Sequence, residues 1–206
     1  VICTQVREMT IIAIEGNSGI GKTFIIDSII KYYDDRSIVD TYKSWSIKPP
    51  AFINNNPFVK RIFESALFAD IASNIKFETK NLLLDRSIIS GEVYYKYRLI
   101  NEQIPDITYD PRYFEFYVEK LMNGVNSPLI IVYFYIDCEQ LFLLSDRRKE
   151  HVNDTLDIYE DIFNEKSCIL KKYDIKLIKI KYDFINHHNN MECLLNLINM
   201  SKNIEN

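Results

Sequence analysis

The chain has 206 residues, 47% of them hydrophobic and 26% charged, which suits one globular domain and argues against a fibrous or disordered polypeptide. Its formal net charge of −4 speaks against a general nucleic-acid binder, which would be basic. Five glycines, six prolines and four scattered cysteines (Cys3, Cys138, Cys168 and Cys193, none in a CxxC pair) speak against low-complexity linkers, a disulfide framework or a structural zinc site.

Taken in chain order, apolar runs alternate with amphipathic stretches. Thr10–Glu15 (TIIAIE) reads as a buried strand, and Lys22–Tyr33 has helical spacing. Ser37–Thr41 is a short strand. A long helical pattern opens at Asn56-Pro57 and runs to Phe77. Asn81–Asp85 (NLLLD) is a second apolar strand. Ile88–Asn101 and Pro111–Asn123 read as helices, the latter closed by Gly124. Leu129–Ile136 is the strongest strand signal, a continuous β-branched and aromatic run. Glu139–Ser145 reads as helical and is followed by a charged stretch. Asp154–Tyr173 is a helix, Ile175–Ile180 the last strand and Met191–Met200 the last helix. No apolar run reaches the length of a membrane span, and Val1–Thr10, with Arg7 and Glu8, carries no signal-peptide core. The expectation is a soluble, cytoplasmic protein with no membrane and no nucleic-acid partner.

Short strands alternating with helices imply βαβ units. The predicted architecture is a single α/β domain over residues 1–206, with a five-stranded parallel sheet flanked by helices on both faces. Ligands of such sheets sit beyond the carboxyl ends of the strands. Those ends are expected near Glu15, Asp40, Asp85, Asp137 and Tyr182.

Gly16-Asn17-Ser18-Gly19-Ile20-Gly21-Lys22-Thr23 fits GxxxxGK[ST], between a predicted buried strand and a predicted helix. In this P-loop pattern successive backbone N–H groups turn toward phosphate oxygens, and the helix N-terminus adds partial positive charge. Lys22 can reach the β- and γ-phosphates of ATP, and the Thr23 hydroxyl can ligate Mg²⁺. The motif implies nucleotide binding and does not by itself separate a kinase from another NTPase. No guanine-reading NKxD follows a strand, and the chain is short for a motor ATPase, so a nucleoside or nucleotide kinase is favoured.

Three further stretches point the same way: Asp85-Arg86-Ser87 at a predicted strand end, Asp40 with Trp45 five positions on, and the basic cluster Arg147-Arg148-Lys149. With the Glu15-Gly16-Asn17 start of the P-loop, they make the chain resemble the deoxynucleoside kinase family, which shares its fold with thymidylate kinases. The resemblance extends over nearly the whole chain. It implies that Asp40 is the base accepting the 5′-hydroxyl proton and that Arg86 holds the base and the phosphates. Asp85 would act on Mg²⁺, and Trp45 would form part of the nucleoside pocket. Arg147 and Arg148 would form a short lid over ATP. It also implies a homodimer.

The chain departs from the family pattern in places. Asp40 replaces a Glu and is one methylene shorter. The family's base-reading Gln has no clear match, and Glu64 is the nearest polar candidate. Asp85-Arg86 and Leu67-Phe68-Ala69-Asp70 are closer to thymidylate kinases, whose acceptor phosphate Lys43, Lys48, Lys60 or Arg61 could meet. A third reading is a nucleotide-binding protein that has lost catalysis and acts through partners. Set against these, Asp40 could merely end a strand, Asp85 could cap a helix, and the Arg147–Lys149 run could be a solvated face.

Overall fold

The computed structural model describes residues 10–33, 39–43, 81–101, 112–124, 128–144 and 146–203. The described elements are β1 (Ile11–Gly16), α1 (Lys22–Tyr32), β2 (Val39–Lys43), β3 (Asn81–Asp85), α2 (Ile88–Ile100), α3 (Arg112–Gly124) and β4 (Leu129–Tyr135). A 3₁₀ turn (Cys138–Leu143), α4 (Asp146–Lys172), β5 (Lys176–Lys181) and α5 (His187–Asn203) complete the order. The expected long helix ending at Phe77 falls outside the described residues.

The five strands form one sheet in the order β2-β3-β1-β4-β5, with every pairing parallel. Alternation explains why the central strands are apolar throughout. Ile11, Ala13, Leu129, Ile131 and Tyr133 face a core shared with α2, α3 and α4. Ile12, Ile14, Val132 and Phe134 face the opposite core, shared with α1 and α5. A strand covered on both sides has no polar register. The chain steps to one side of β1 for β2 and β3 and to the other for β4 and β5. β1 is therefore the switch point, where a crevice opens beyond the carboxyl edge.

Helix α1 buries Lys22, Ile25, Ile26 and Ile29, the spacing of a single face. Helix α4 is longer than its apolar pattern predicts. Its first turns, Asp146 to His151, hold no apolar residue, so the periodic signal starts only at Val152. Val152 packs in the α1/α5 core, whereas Ile158, Tyr159, Ile162 and Phe163 pack in the other. The helix thus bridges the two layers. The predicted helix Glu139–Ser145 is instead the 3₁₀ turn Cys138–Leu143, started by Asp137, whose Oδ1 accepts from the Gln140 N–H at 3.1 Å.

Two strand boundaries also move. β5 shifts by one residue from its expected span, and β2 by two. The β2 shift matters for function. Its register pairs Val39 with Asn81, Asp40 with Leu82 and Lys43 with Asp85. Asp40 therefore does not stand at the strand end; Lys43 does. Pairing with β3 decided this, and the local apolar pattern of an edge strand could not.

Candidate active site

Leaving β1, the chain turns at Gly16, whose φ is 143°. A Cβ there would stand 2.5 Å from the Phe134 carbonyl oxygen, so no other residue fits without displacing β4. The loop ends at Gly21, which caps α1 with φ 100°, and a Cβ there would collide with the Tyr182 hydroxyl at the end of β5. That hydroxyl lies 3.0 Å from His187 Nδ1, and burial pushes its pKa up to about 12, so it is a neutral wall against the loop.

Within the loop, Lys22 Nζ donates to the carbonyls of Gly16 at 2.7 Å and Asn17 at 2.8 Å. Burial first, and the Arg86 charge second, push its pKa down to about 7, against the opposing pull of Glu15 and Asp85. The Asn17 amide is fully buried and donates to Thr155 Oγ1 at 2.6 Å and the Val152 carbonyl at 3.3 Å, which ties the P-loop to α4. Thr23 Oγ1 donates to Asp85 Oδ2 at 2.9 Å.

The second wall comes from the end of β3. Arg86 is a non-glycine residue at φ 83°, a conformation costing roughly 1–2 kcal/mol. Its N–H continues the ladder to the Ile14 carbonyl at 3.0 Å, and Ser87 Oγ then caps α2 by accepting from the Ile89 N–H at 3.1 Å. The turn throws the Arg86 side chain over the Tyr94 ring, 5.0 Å from its centroid, with Nη1 donating to Ser90 Oγ at 3.2 Å. Burial alone would depress the guanidinium, but Tyr159, Tyr94, Glu15 and Asp85 together push its pKa above the ordinary value, so it is a fixed cation.

These parts enclose one cleft. A volume of about 470 Å³ is lined by Ser18, Gly19, Gly21, Lys22, Thr23, Asp85 and Arg86. The two cations and the loop N–H groups suit a chain of phosphates. The Thr23 hydroxyl and the Asp85 carboxylate put two hard oxygen donors side by side, which fits Mg²⁺. Among the described residues no group of three or more His, Cys, Asp or Glu could hold a metal by itself.

This architecture matches solved structures. The deoxyadenosine kinase from M. mycoides with bound dATP aligns at 17% identity and TM-score 0.56, covering 92% of this chain and 98% of that one. The thymidylate kinase from Candida albicans aligns at 13% and 0.56, covering 96% and 94%. The chain has the fold of the P-loop nucleoside and nucleotide kinases. The YorR protein from Bacillus subtilis, solved in complex with phosphorylated GDP, shares that kinase fold with it at 14% identity and 0.55, covering 92% and 96%. No family model matches the sequence, and no curated protein matches it either. The likeness resides in the backbone.

Placed on the kinase fold, the expected site residues divide. Ser18, Gly19, Gly21, Lys22, Thr23, Asp85 and Arg86 line the cleft, whereas the Asn17 amide turns to α4 and Ile20 packs in the α1/α5 core. Asp40, level with Leu82, stands three positions short of the carboxyl edge, about 10 Å at the rise of a strand. Arg147 and Arg148, the expected lid residues, lie in the first turn of α4, about 12 Å along the helix from Thr155. Trp45 and Glu64 lie outside the described residues. The sequence reading missed Tyr159, Thr155, Ser90 and the side chain of Glu15. One signal was available: a carboxylate ending an otherwise apolar strand.

Proposed function

We propose that this protein transfers the γ-phosphoryl group of ATP to the 5′-hydroxyl of a deoxynucleoside. The observation that carries the reading is the single cleft in which Lys22, Thr23, Asp85 and Arg86 meet the P-loop backbone. Phosphoryl transfer requires mainly positioning and charge neutralisation, and those four residues supply both. The loop N–H groups would hold the phosphates, and Lys22 and Arg86 would meet the charge on the transferring group. Thr23 and Asp85 would hold Mg²⁺, which when bound would neutralise β- and γ-phosphate oxygens. Arg147 and Arg148 would add charge from the end of α4, and Trp45 and Glu64 would contribute to the acceptor pocket. The fold neighbours that act on deoxynucleosides support this acceptor class.

The register of β2 favours one second reading. A lysine, Lys43, stands level with Asp85 at the carboxyl edge where a carboxylate base was expected. A cation there suits an acceptor that already bears a phosphate, as in thymidylate kinase chemistry. The register also sets the Asp40 backbone level with Leu82, three positions short of the edge, which weighs against Asp40 as the base.

One experiment separates the readings. The protein is incubated with Mg²⁺-ATP and each of the four deoxynucleosides or their monophosphates, and ADP release is followed. Turnover of nucleosides supports the first reading. Turnover of monophosphates alone replaces it with the second. ATP binding without turnover of any acceptor defeats both and leaves a nucleotide-binding protein.

A further inference from the structure

Glu15 is a carboxylate with no exposed surface at the end of an apolar strand, and the proposed reaction gives it no part. Burying such a charge is costly unless its lone pairs are met. They are met here by groups far away in sequence. Oε1 accepts from the Ser87 N–H at 2.6 Å, the Ser87 hydroxyl at 2.6 Å and the Ser90 N–H at 3.1 Å. Oε2 accepts from the Ser90 hydroxyl at 2.6 Å and lies 3.3 Å from the Tyr159 hydroxyl, which also lies 3.1 Å from the Gly16 carbonyl.

Two consequences follow for Arg86. Its left-handed backbone is pinned on both sides by consecutive residues of β1: its own N–H bonds the Ile14 carbonyl, and the next N–H, of Ser87, bonds Glu15. The Ser90 hydroxyl is also oriented. A carboxylate can only accept, so the Ser90 proton points at Glu15 and its lone pair is left for Arg86 Nη1. The Tyr94 ring closes the guanidinium from another side.

We propose that Glu15 is the positioning residue for Arg86, fixing through Ser87 and Ser90 both the backbone turn and the direction of the guanidinium in the phosphate cleft. The inference rests on the proposed function only in taking a phosphate chain as the ligand of Arg86. A carboxylate that merely capped α2 would affect folding and leave the guanidinium's work unchanged.

The test is a double-mutant cycle in the full chain, with Glu15→Gln, Ser90→Ala and Arg86→Ala alone and combined. Binding of inorganic tripolyphosphate is read by calorimetry, the melting temperature is recorded, and kcat and KM are measured on any acceptor the wild type turns over. Glu15→Gln and Ser90→Ala should each weaken tripolyphosphate binding and lower kcat by roughly tenfold with acceptor KM unchanged, the order expected when a charged donor is misdirected. Neither should have any further effect in the Arg86→Ala background. Additive losses, a lowered melting temperature with unchanged binding, or an Arg86→Ala variant that binds tripolyphosphate as wild type would each overturn the proposal. Should Glu15→Gln not fold, Glu15→Asp, which keeps the charge but draws it back from Ser87 and Ser90, takes its place in the cycle with the same expected and overturning outcomes. Absence of turnover with every acceptor would sink the kinase reading, while coupling in tripolyphosphate binding would still decide the positioning role.

Discussion

Raising the pH should stabilise the empty protein and weaken its grip on phosphates, both through Lys22. The unfolded chain keeps a proton on Lys22 up to its ordinary value of 10.5, whereas the folded protein keeps it only to about 7. Between those values the unfolded state binds more protons, so stability rises with pH across that window. For this group alone the gain from about pH 7 to about pH 9 is about 2 kcal/mol. Urea denaturation of wild type and Lys22→Met at several pH values isolates it, because other titrations largely cancel in the difference. Phosphate binding has the opposite sign. A polyphosphate needs the ammonium form, so wild-type affinity, relative to a Lys22→Arg variant that does not titrate, should fall roughly fiftyfold over the same interval. The ratio removes the ionisation of the ligand itself. A stability difference that stays flat with pH, or an affinity ratio that stays flat, would refute a half-neutral Lys22 and with it the account of burial and Arg86 repulsion.

Other expectations follow from contacts around the cleft. Gly21→Ala should lower stability by roughly 3 kcal/mol from its left-handed backbone and the collision with the Tyr182 hydroxyl. Measured by urea denaturation in a Tyr182→Phe background, that cost should drop by at least about 1 kcal/mol, and an unchanged cost would show that the hydroxyl is no obstacle. Thr155→Val removes the hydroxyl that Asn17 donates to and should lower stability by about 1–2 kcal/mol in the same assay, with the Asn17 amide left a longer bond to Val152. Asp40→Asn should change kcat less than about threefold while Arg86→Ala lowers it a hundredfold or so. A large loss from Asp40→Asn in steady-state kinetics would show that Asp40 takes part in the reaction despite its position three residues short of the edge.

Much of this molecule is legible locally. Glycines at 16, 19 and 21 followed by Lys22 and Thr23 form one continuous segment, and consecutive residues suffice to build a phosphate cradle. The same holds for β1, β3 and β4. Their unbroken apolar runs announce strands covered on both faces, and hence a parallel sheet with helices on each side. Asp85 and Arg86 were found because they follow such a run directly.

Other features depended on the tertiary structure. Sliding an edge strand by two residues barely changes its own apolar pattern, so only pairing with β3 revealed that Lys43 and not Asp40 reaches the edge. Helix α4 begins with six polar residues in sequence, so its start was invisible to apolar periodicity. The bonds of Glu15 join residues 72 to 144 positions apart. Nothing in the sequence around a buried carboxylate states which helix N-terminus, which serine or which tyrosine will meet it. The P-loop is written in adjacent residues. The device that aims Arg86 exists only once β1, α2 and α4 have packed together, because the cost of burying Glu15 can be offset only by donors that the fold delivers.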